Sequence, residues 1–286
     1  MKIQSVAVIG AGQMGSGIAA LAASQGMSVI VMDQQISQLE KAKRVIEDRW
    51  KRNEEKGYIT AEERSHWSAQ LQYTHQLEQL DRVDLVIEAI IEQRKQKQAL
   101  FQTLDRFAAD HTILASNTSS LSITELAAHT SRATKVIGMH FMNPVHRMPL
   151  VEVVQGLETN EEVVQTIVKL ARDWGKEPVV VQDAPGFISN RLLMPMLNEA
   201  VFALQEGIAS AEEIDQIMRL GMNHPMGPLA LADLIGLDTC LYIMESLYQG
   251  FGDDKYRPCP LLRKYVQAGR LGKKSGRGFY LYSVEE

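Results

Sequence analysis

The strongest structural signal in the chain is the run Val6-Ala7-Val8-Ile9-Gly10-Ala11-Gly12-Gln13-Met14-Gly15. Four small or β-branched apolar residues in a row read as a strand buried on both faces. The glycines after it fit the G-x-G-x-x-G pattern of a strand-to-helix turn. Gly10 permits the tight turn, Gly12 lets the backbone approach a pyrophosphate, and Gly15 lets helix and strand pack closely. A helix opening near Met14 presents free N–H groups and its positive dipole end to the same place, next to Gln13. Asp33 stands at the end of the following strand, 23 positions after Gly10. There a carboxylate accepts hydrogen bonds from ribose hydroxyls and repels a 2′-phosphate. A dinucleotide is expected at Gly10, Gly12, Gln13, Met14, Gly15 and Asp33, with NAD preferred over NADP; the fingerprint by itself leaves FAD open.

Beyond this turn, short apolar runs alternate with helical patterns. Strands are expected over residues 6–9, 27–32, 85–90, 112–115, 135–139, 150–154 and 178–181, and helices over 14–24, 37–56, 93–107 and 161–174. Such alternation predicts an α/β, Rossmann-type domain with a mostly parallel sheet covered on both faces. The pattern changes at Asp183-Ala184-Pro185-Gly186. Helical stretches follow over 188–206, 211–220, 229–251 and 260–268, the second opened by a Ser210/Glu213 capping box. The expected organisation is an NAD-binding domain over 1–183 and an all-helical domain over 184–286.

Composition narrows the function classes. A length of 286 residues suits one large or two ordinary domains. Thirty basic and 35 acidic residues leave a net charge of −5, with the signs interspersed even in the dense charge run 41–56. This excludes the clustered basic surface of a dedicated nucleic-acid binder. Cys240 and Cys259 can neither form a disulfide framework nor supply a four-cysteine zinc site. No metal-ligand spacing is present, and His75, His111 and His129 show no carboxylate partner in the sequence. No run approaches the ~18–20 apolar residues of a membrane span, and no leader pattern opens the chain. A cytoplasmic protein with no membrane partner is expected.

Three further segments place polar residues at strand ends, where open α/β sheets hold ligands. They are Ala115-Ser116-Asn117-Thr118-Ser119-Ser120-Leu121; Gly138-Met139-His140-Phe141-Met142-Asn143-Pro144, with Glu152 twelve residues beyond His140; and Pro185-Gly186-Phe187-Ile188-Ser189-Asn190-Arg191. Taken alone, His140 reads as a satisfied strand-end histidine; helix caps for Ser119 and Asn190, and a surface ion-pair partner for Glu152, are the less favoured readings of those residues. Two more motifs lie downstream, His224-Pro225-Met226-Gly227-Pro228 and Gly272-Lys273-Lys274-Ser275-Gly276-Arg277-Gly278-Phe279-Tyr280. In their order and over nearly the whole chain, these motifs resemble the L-3-hydroxyacyl-CoA dehydrogenase family, in its monofunctional, 3-hydroxybutyryl-CoA dehydrogenase-like form. Met142 departs from the aromatic residue expected after Phe141, but it keeps an apolar side chain there.

The resemblance implies NAD-dependent oxidation of (S)-3-hydroxyacyl-CoA to 3-oxoacyl-CoA and the reverse, in β-oxidation, butanoate metabolism or aromatic-acid breakdown. Imidazole exchanges protons near neutral pH, which suits His140 as general acid and base. Glu152 would fix its tautomer, and Ser119 and Asn190 would orient the substrate oxygen. Glu92, Lys97, Asn143 and Lys274 would approach the nicotinamide end of the cofactor, although Lys97 also reads as a solvated helix lysine. Coenzyme A is a polyanion, so Lys56 and Arg49 are its candidate ligands. The C-terminal helices carry more apolar surface than a hundred residues bury alone, which with the resemblance implies a homodimer. Two other functions fit the sequence less well, a dehydrogenase of a free hydroxy or sugar acid and a non-catalytic NAD-binding protein.

Overall fold

In the computed structural model, which describes residues 2–283, the opening run forms β1 (Ser5–Ile9), α1 (Gln13–Ser24) and β2 (Ser28–Met32). Two helices, α2 (Ile36–Glu55) and α3 (Ala61–Ala69), lead to β3 (Leu71–Thr74). The chain continues through β4 (Leu85–Glu88), α4 (Arg94–Phe107), β5 (Ile113–Ser116), α5 (Ile123–Ala127) and β6 (Val136–Phe141). Then β7 (Leu150–Gln155), α6 (Glu161–Asp173) and β8 (Glu177–Gln182) complete the first of two compact units, divided after Asp183.

The eight strands form one sheet in the order β3-β2-β1-β4-β5-β6-β7-β8. Every pairing is parallel except β6–β7, which is antiparallel. The order turns back between β1 and β4, which creates the crevice at strand carboxyl ends where such sheets bind ligands. Strands β4 and β5 are buried at every residue, as both-face coverage requires. Helix α2 buries Leu39, Ala42, Ile46 and Trp50, a stripe at helical spacing, and leaves most of its charged residues exposed. Trp50 meets Trp67 of α3 edge-on at 5.6 Å.

Three elements of this unit lie outside the sequence expectation. Strand β3 is a four-residue edge strand, Leu-Gln-Tyr-Thr, whose polar residues hide the apolar run. Helix α3 buries none of its residues and owes its start to a Thr60/Glu63 capping box. Helix α5 has only five residues.

The second unit contains α7 (Ser189–Gln205), α8 (Ala211–Gly221), α9 (Pro228–Ile235), α10 (Leu237–Phe251) and α11 (Pro260–Gln267). The helix expected over 229–251 is two helices, because Gly236 takes φ 103° between them, a conformation that L side chains rarely adopt. Two buried aspartates organise this unit. Asp215 accepts from the N–H groups of Leu229 and Ala230 at 2.8 and 2.9 Å, tying α8 to the start of α9. Asp233 accepts from the N–H groups of Phe279 and Tyr280, both at 3.0 Å, and so holds the C-terminal tail. A Cβ on Gly278 would lie 1.8 Å from Asp233 Oδ1, so the tail motif is a structural clasp.

Candidate active site

The carboxyl ends of β4, β5 and β6 carry Glu92, Lys97, Ser119, His140 and Asn143 of the expected site residues. Register pairs His140 of β6 directly with Glu152 of β7, so both side chains stand on one face of the sheet. His140 Nδ1 lies 2.8 Å from Glu152 Oε2, and the two residues are only 6% and 2% exposed. Its Nε2 lies 3.1 Å from Ser119 Oγ. A carboxylate can only accept, so the proton belongs on Nδ1 and the Nε2 lone pair faces the serine hydroxyl. Asn117 steadies the strand end by accepting from the Phe141 N–H at 2.9 Å.

Ser119 belongs to a turn built on Glu92. Glu92 Oε1 accepts from Thr118 Oγ1 at 2.5 Å, from the N–H groups of Ser119 and Ser120 at 3.0 and 3.1 Å, and from Ser120 Oγ at 3.0 Å. Burial raises the Glu92 carboxyl, but the Lys97 charge and the hydrogen bonds from Thr118, Lys97 and Ser120 outweigh it and hold the group below the usual carboxylate range. The cap of α5 is Ser122, not Ser119. Lys97, in the first turn of α4, is 1% exposed, so the solvated-lysine reading is wrong. Its Nζ lies 2.6 Å from Glu88 Oε1 and 3.1 Å from Glu92 Oε2. The sequence reading missed Glu88. An acid closing the otherwise apolar run Leu85-Val86-Ile87 was the available signal, because a fully buried carboxylate requires a partner.

The glycine turn is shaped for a dinucleotide. Gly10 sits at φ 102°, and a Cβ there would meet Ala89 O at 2.6 Å; at Gly15 it would meet Gly10 O at 1.8 Å. At Gly12 it would meet nothing within 4 Å, so the space over the turn is open. No side chain caps α1, which leaves its first N–H groups available to an anion. Asp33 Oδ2 accepts from the Ala11 N–H at 2.8 Å and Oδ1 from the Gln35 N–H at 2.9 Å, which sets the carboxylate beside the turn. Gln13 Nε2 donates to Asn143 Oδ1 at 3.2 Å, joining the turn to the loop after His140. Met14 is half-buried against the core beneath. This donor set fits diphosphate on the helix N-terminus and ribose at Asp33.

Residues 5–184 match the 3-hydroxyacyl-CoA dehydrogenase NAD binding domain, and residues 186–282 match the C-terminal domain of the same family. The chain belongs to the 3-hydroxyacyl-CoA dehydrogenase family. It is 56% identical over 282 residues to a probable 3-hydroxybutyryl-CoA dehydrogenase of Bacillus subtilis, covering 99% of this chain and 98% of the relative. It is 46% identical over 280 residues to the 3-hydroxybutyryl-CoA dehydrogenase of Bradyrhizobium diazoefficiens, covering 98% and 96%. The crystal structure of (S)-3-hydroxybutyryl-CoA dehydrogenase from Ralstonia eutropha superposes with a TM-score of 0.96 at 45% identity, covering 99% of this chain and all of that one. NAD is the cofactor, and the family reaction is the NAD-dependent oxidation of a 3-hydroxyacyl-CoA.

Other candidates of this dehydrogenase lie elsewhere. Asn190 is the second residue of α7 and Lys274 belongs to the tail, both in the second unit. Lys274 Nζ pairs with Asp238 at 2.6 Å. Arg49 is half-buried on α2. With burial as the larger cause, it joins Arg147 and Lys176 in lowering the His146 imidazole, in the loop after β6. Lys56 is exposed at the C-cap of α2. His111 does have a carboxylate neighbour, the half-buried Asp84 at 3.6 Å. Among the described residues no group of three or more His, Cys, Asp or Glu could hold a metal ion, and no helix is long and apolar enough to cross a membrane.

Proposed function

We propose that the chain interconverts (S)-3-hydroxybutyryl-CoA and acetoacetyl-CoA, with His140 as the acid–base group. The Ser119–His140–Glu152 line carries this reading. The names of relatives at 46–56% identity support the short acyl chain. In the oxidative direction His140 Nε2 takes the proton of the C3 hydroxyl as hydride leaves C3; in the reductive direction it returns that proton. Glu152 keeps the other ring proton on Nδ1 and stabilises the imidazolium. The Ser119 hydroxyl, already directed at Nε2, orients the C3 oxygen. Bound NAD supplies the hydride acceptor, held by the α1 N-terminus, Asp33, Gln13 and Asn143. Asn190 is assigned to the substrate, Lys274 to the cofactor, and Arg49 and Lys56 to the coenzyme A phosphates, all on the sequence.

The test mixes the protein with NADH and acetoacetyl-CoA and follows nicotinamide absorbance. Rapid decay is expected, slowed about 10²–10⁴-fold by His140→Gln with NADH binding retained. Equal turnover of free acetoacetate, or decay with an unrelated ketone alone, overturns the substrate assignment. The same reading makes the enzyme a cytoplasmic homodimer through its C-terminal helices. In support, Leu192, Ile208, Ile217, Leu220 and Met222 of the second unit are 68%, 72%, 60%, 76% and 62% exposed. Sedimentation as 32 kDa particles alone at micromolar concentration would refute the dimer.

A further inference from the structure

Glu88 and Lys97 form an ion pair with almost no solvent contact, at 0% and 1% exposure. Packing alone does not call for such a pair, since apolar residues of the same volume fill a core as well or better. Both Glu88 oxygens are committed. Oε1 accepts from Lys97 Nζ at 2.6 Å and from the Ile90 N–H at 2.7 Å; Oε2 accepts from Ser116 Oγ at 2.6 Å. Two routes leave this carboxylate and meet again at one turn. Along the first, Lys97 holds Glu92, and Glu92 gathers four donors from Thr118, Ser119 and Ser120. Along the second, Ser116 Oγ accepts from the Thr118 N–H at 3.1 Å. The turn carries Ser119, whose hydroxyl lies 3.1 Å from His140 Nε2.

We propose that Glu88 is a positioning residue for proton transfer: through Lys97–Glu92 and through Ser116 it fixes the Thr118–Ser120 turn and thereby sets the Ser119 hydroxyl against His140. A buried, fully bonded carboxylate at the end of a central strand is a rigid reference point, and a charged hydrogen-bond network tolerates little drift. Loss of that reference lets the turn relax and misplaces a donor that must be aligned within a fraction of an ångström. The inference rests on the assignment of His140 and Ser119 to the reaction.

The test is a double-mutant cycle on full-length protein, with Glu88→Gln, Ser119→Ala and the double variant. It measures kcat and KM with acetoacetyl-CoA, the NADH dissociation constant and Tm. Glu88→Gln is expected to lower kcat about 10–100-fold, with KM and NADH affinity within about threefold. In the Ser119→Ala background the same change is expected to lower kcat less than about threefold, because the residue it positions is already gone. Ser116→Ala cuts only the second route and leaves the ion pair intact. A loss of about 3–10-fold is expected, again absorbed in the Ser119→Ala background, and this variant carries the test if Glu88→Gln does not fold. Wild-type kcat in Glu88→Gln, or losses that multiply undiminished in the double variant, would overturn the inference. Wild-type protein inactive on acetoacetyl-CoA would instead fell the assignment of the reaction itself.

Discussion

Gly12→Ala separates the folding role of the glycine turn from its binding role. Gly12 has φ −71° and ψ −166°, a backbone that alanine adopts freely, and its added Cβ would meet nothing within 4 Å. The cost to folding should stay at about 1 kcal/mol, from the poorer helix cap alone, or about 2–4 °C in Tm. The new methyl group would occupy the open space through which a diphosphate reaches the α1 N–H groups. Loss of one charged hydrogen bond there is worth about 1.5–3 kcal/mol, or a 10–150-fold weaker NADH complex. Gly15→Ala is the contrasting control, because its Cβ would lie 1.8 Å from the Gly10 carbonyl oxygen and the turn itself would have to open. That variant should lose several kcal/mol of stability, of order 3 or more, together with cofactor binding. Thermal melts of the apoprotein and calorimetric titration with NADH read both quantities. An unchanged NADH affinity in Gly12→Ala, or a Tm loss above about 5 °C, would refute the reasoning.

Other outcomes are equally open to measurement. Glu152→Gln removes the charge from a buried 2.8 Å contact and should lower kcat about 10–150-fold with NADH affinity unchanged; steady-state rates within threefold of wild type would deny Glu152 its role. Asp33→Ala should weaken NADH binding and narrow its advantage over NADPH, and titrations showing the same preference would remove Asp33 from the ribose site. The carboxyls of Asp84, Glu92 and Asp105 are all held below their ordinary values: burial opposes this in each, and hydrogen bonds or a neighbouring cation prevail. A depressed folded-state value stabilises above the unfolded one and is lost as pH falls through it. Asp233 has the opposite sign, because burial raises it more than its hydrogen bonds lower it. The Glu213 and Asp253 carboxyls and the His146 imidazole are lowered as well. With six such groups against Asp233, Tm should decline as pH falls from about 7 to 5 and fall further below about pH 4; a Tm that rises on acidification over that lower range would contradict this balance.

Legibility in the sequence followed the strength of the local physical signal. Strands β1 and β4 are continuous apolar runs because they are covered on both faces, and that is what a reader of the sequence sees. Strand β3 pairs only with β2 at the sheet edge, where Gln72 is exposed and the buried Thr74 hydroxyl accepts from the Gln76 N–H, so both blur the apolar pattern. Gly236 within an apolar helical stretch gave no sign of its left-handed φ, because glycine is also tolerated inside helices. At the site, His140 and Ser119 were visible as polar residues at strand ends. Lys97 was ambiguous, since a lysine on a helix reads as solvated until its partner is known. Glu88 showed only as an acid closing an apolar run, and its role stayed hidden because the ammonium that neutralises it lies a helix turn into the next element, at a distance that only the folded chain reveals.

The antiparallel β6–β7 pairing has a further consequence for how this chain tolerates change. The acid and the base are brought face to face by ladder register, not by the intervening segment 142–149, which Lys176 Nζ tethers through the Val145 and Met148 carbonyls at 2.5 and 2.9 Å. Insertions in that hairpin connection can therefore lengthen or reshape the rim while the proton pair stays aligned. A single residue gained or lost inside either strand would swing Glu152 to the opposite side of the pleat and leave the imidazole facing a valine.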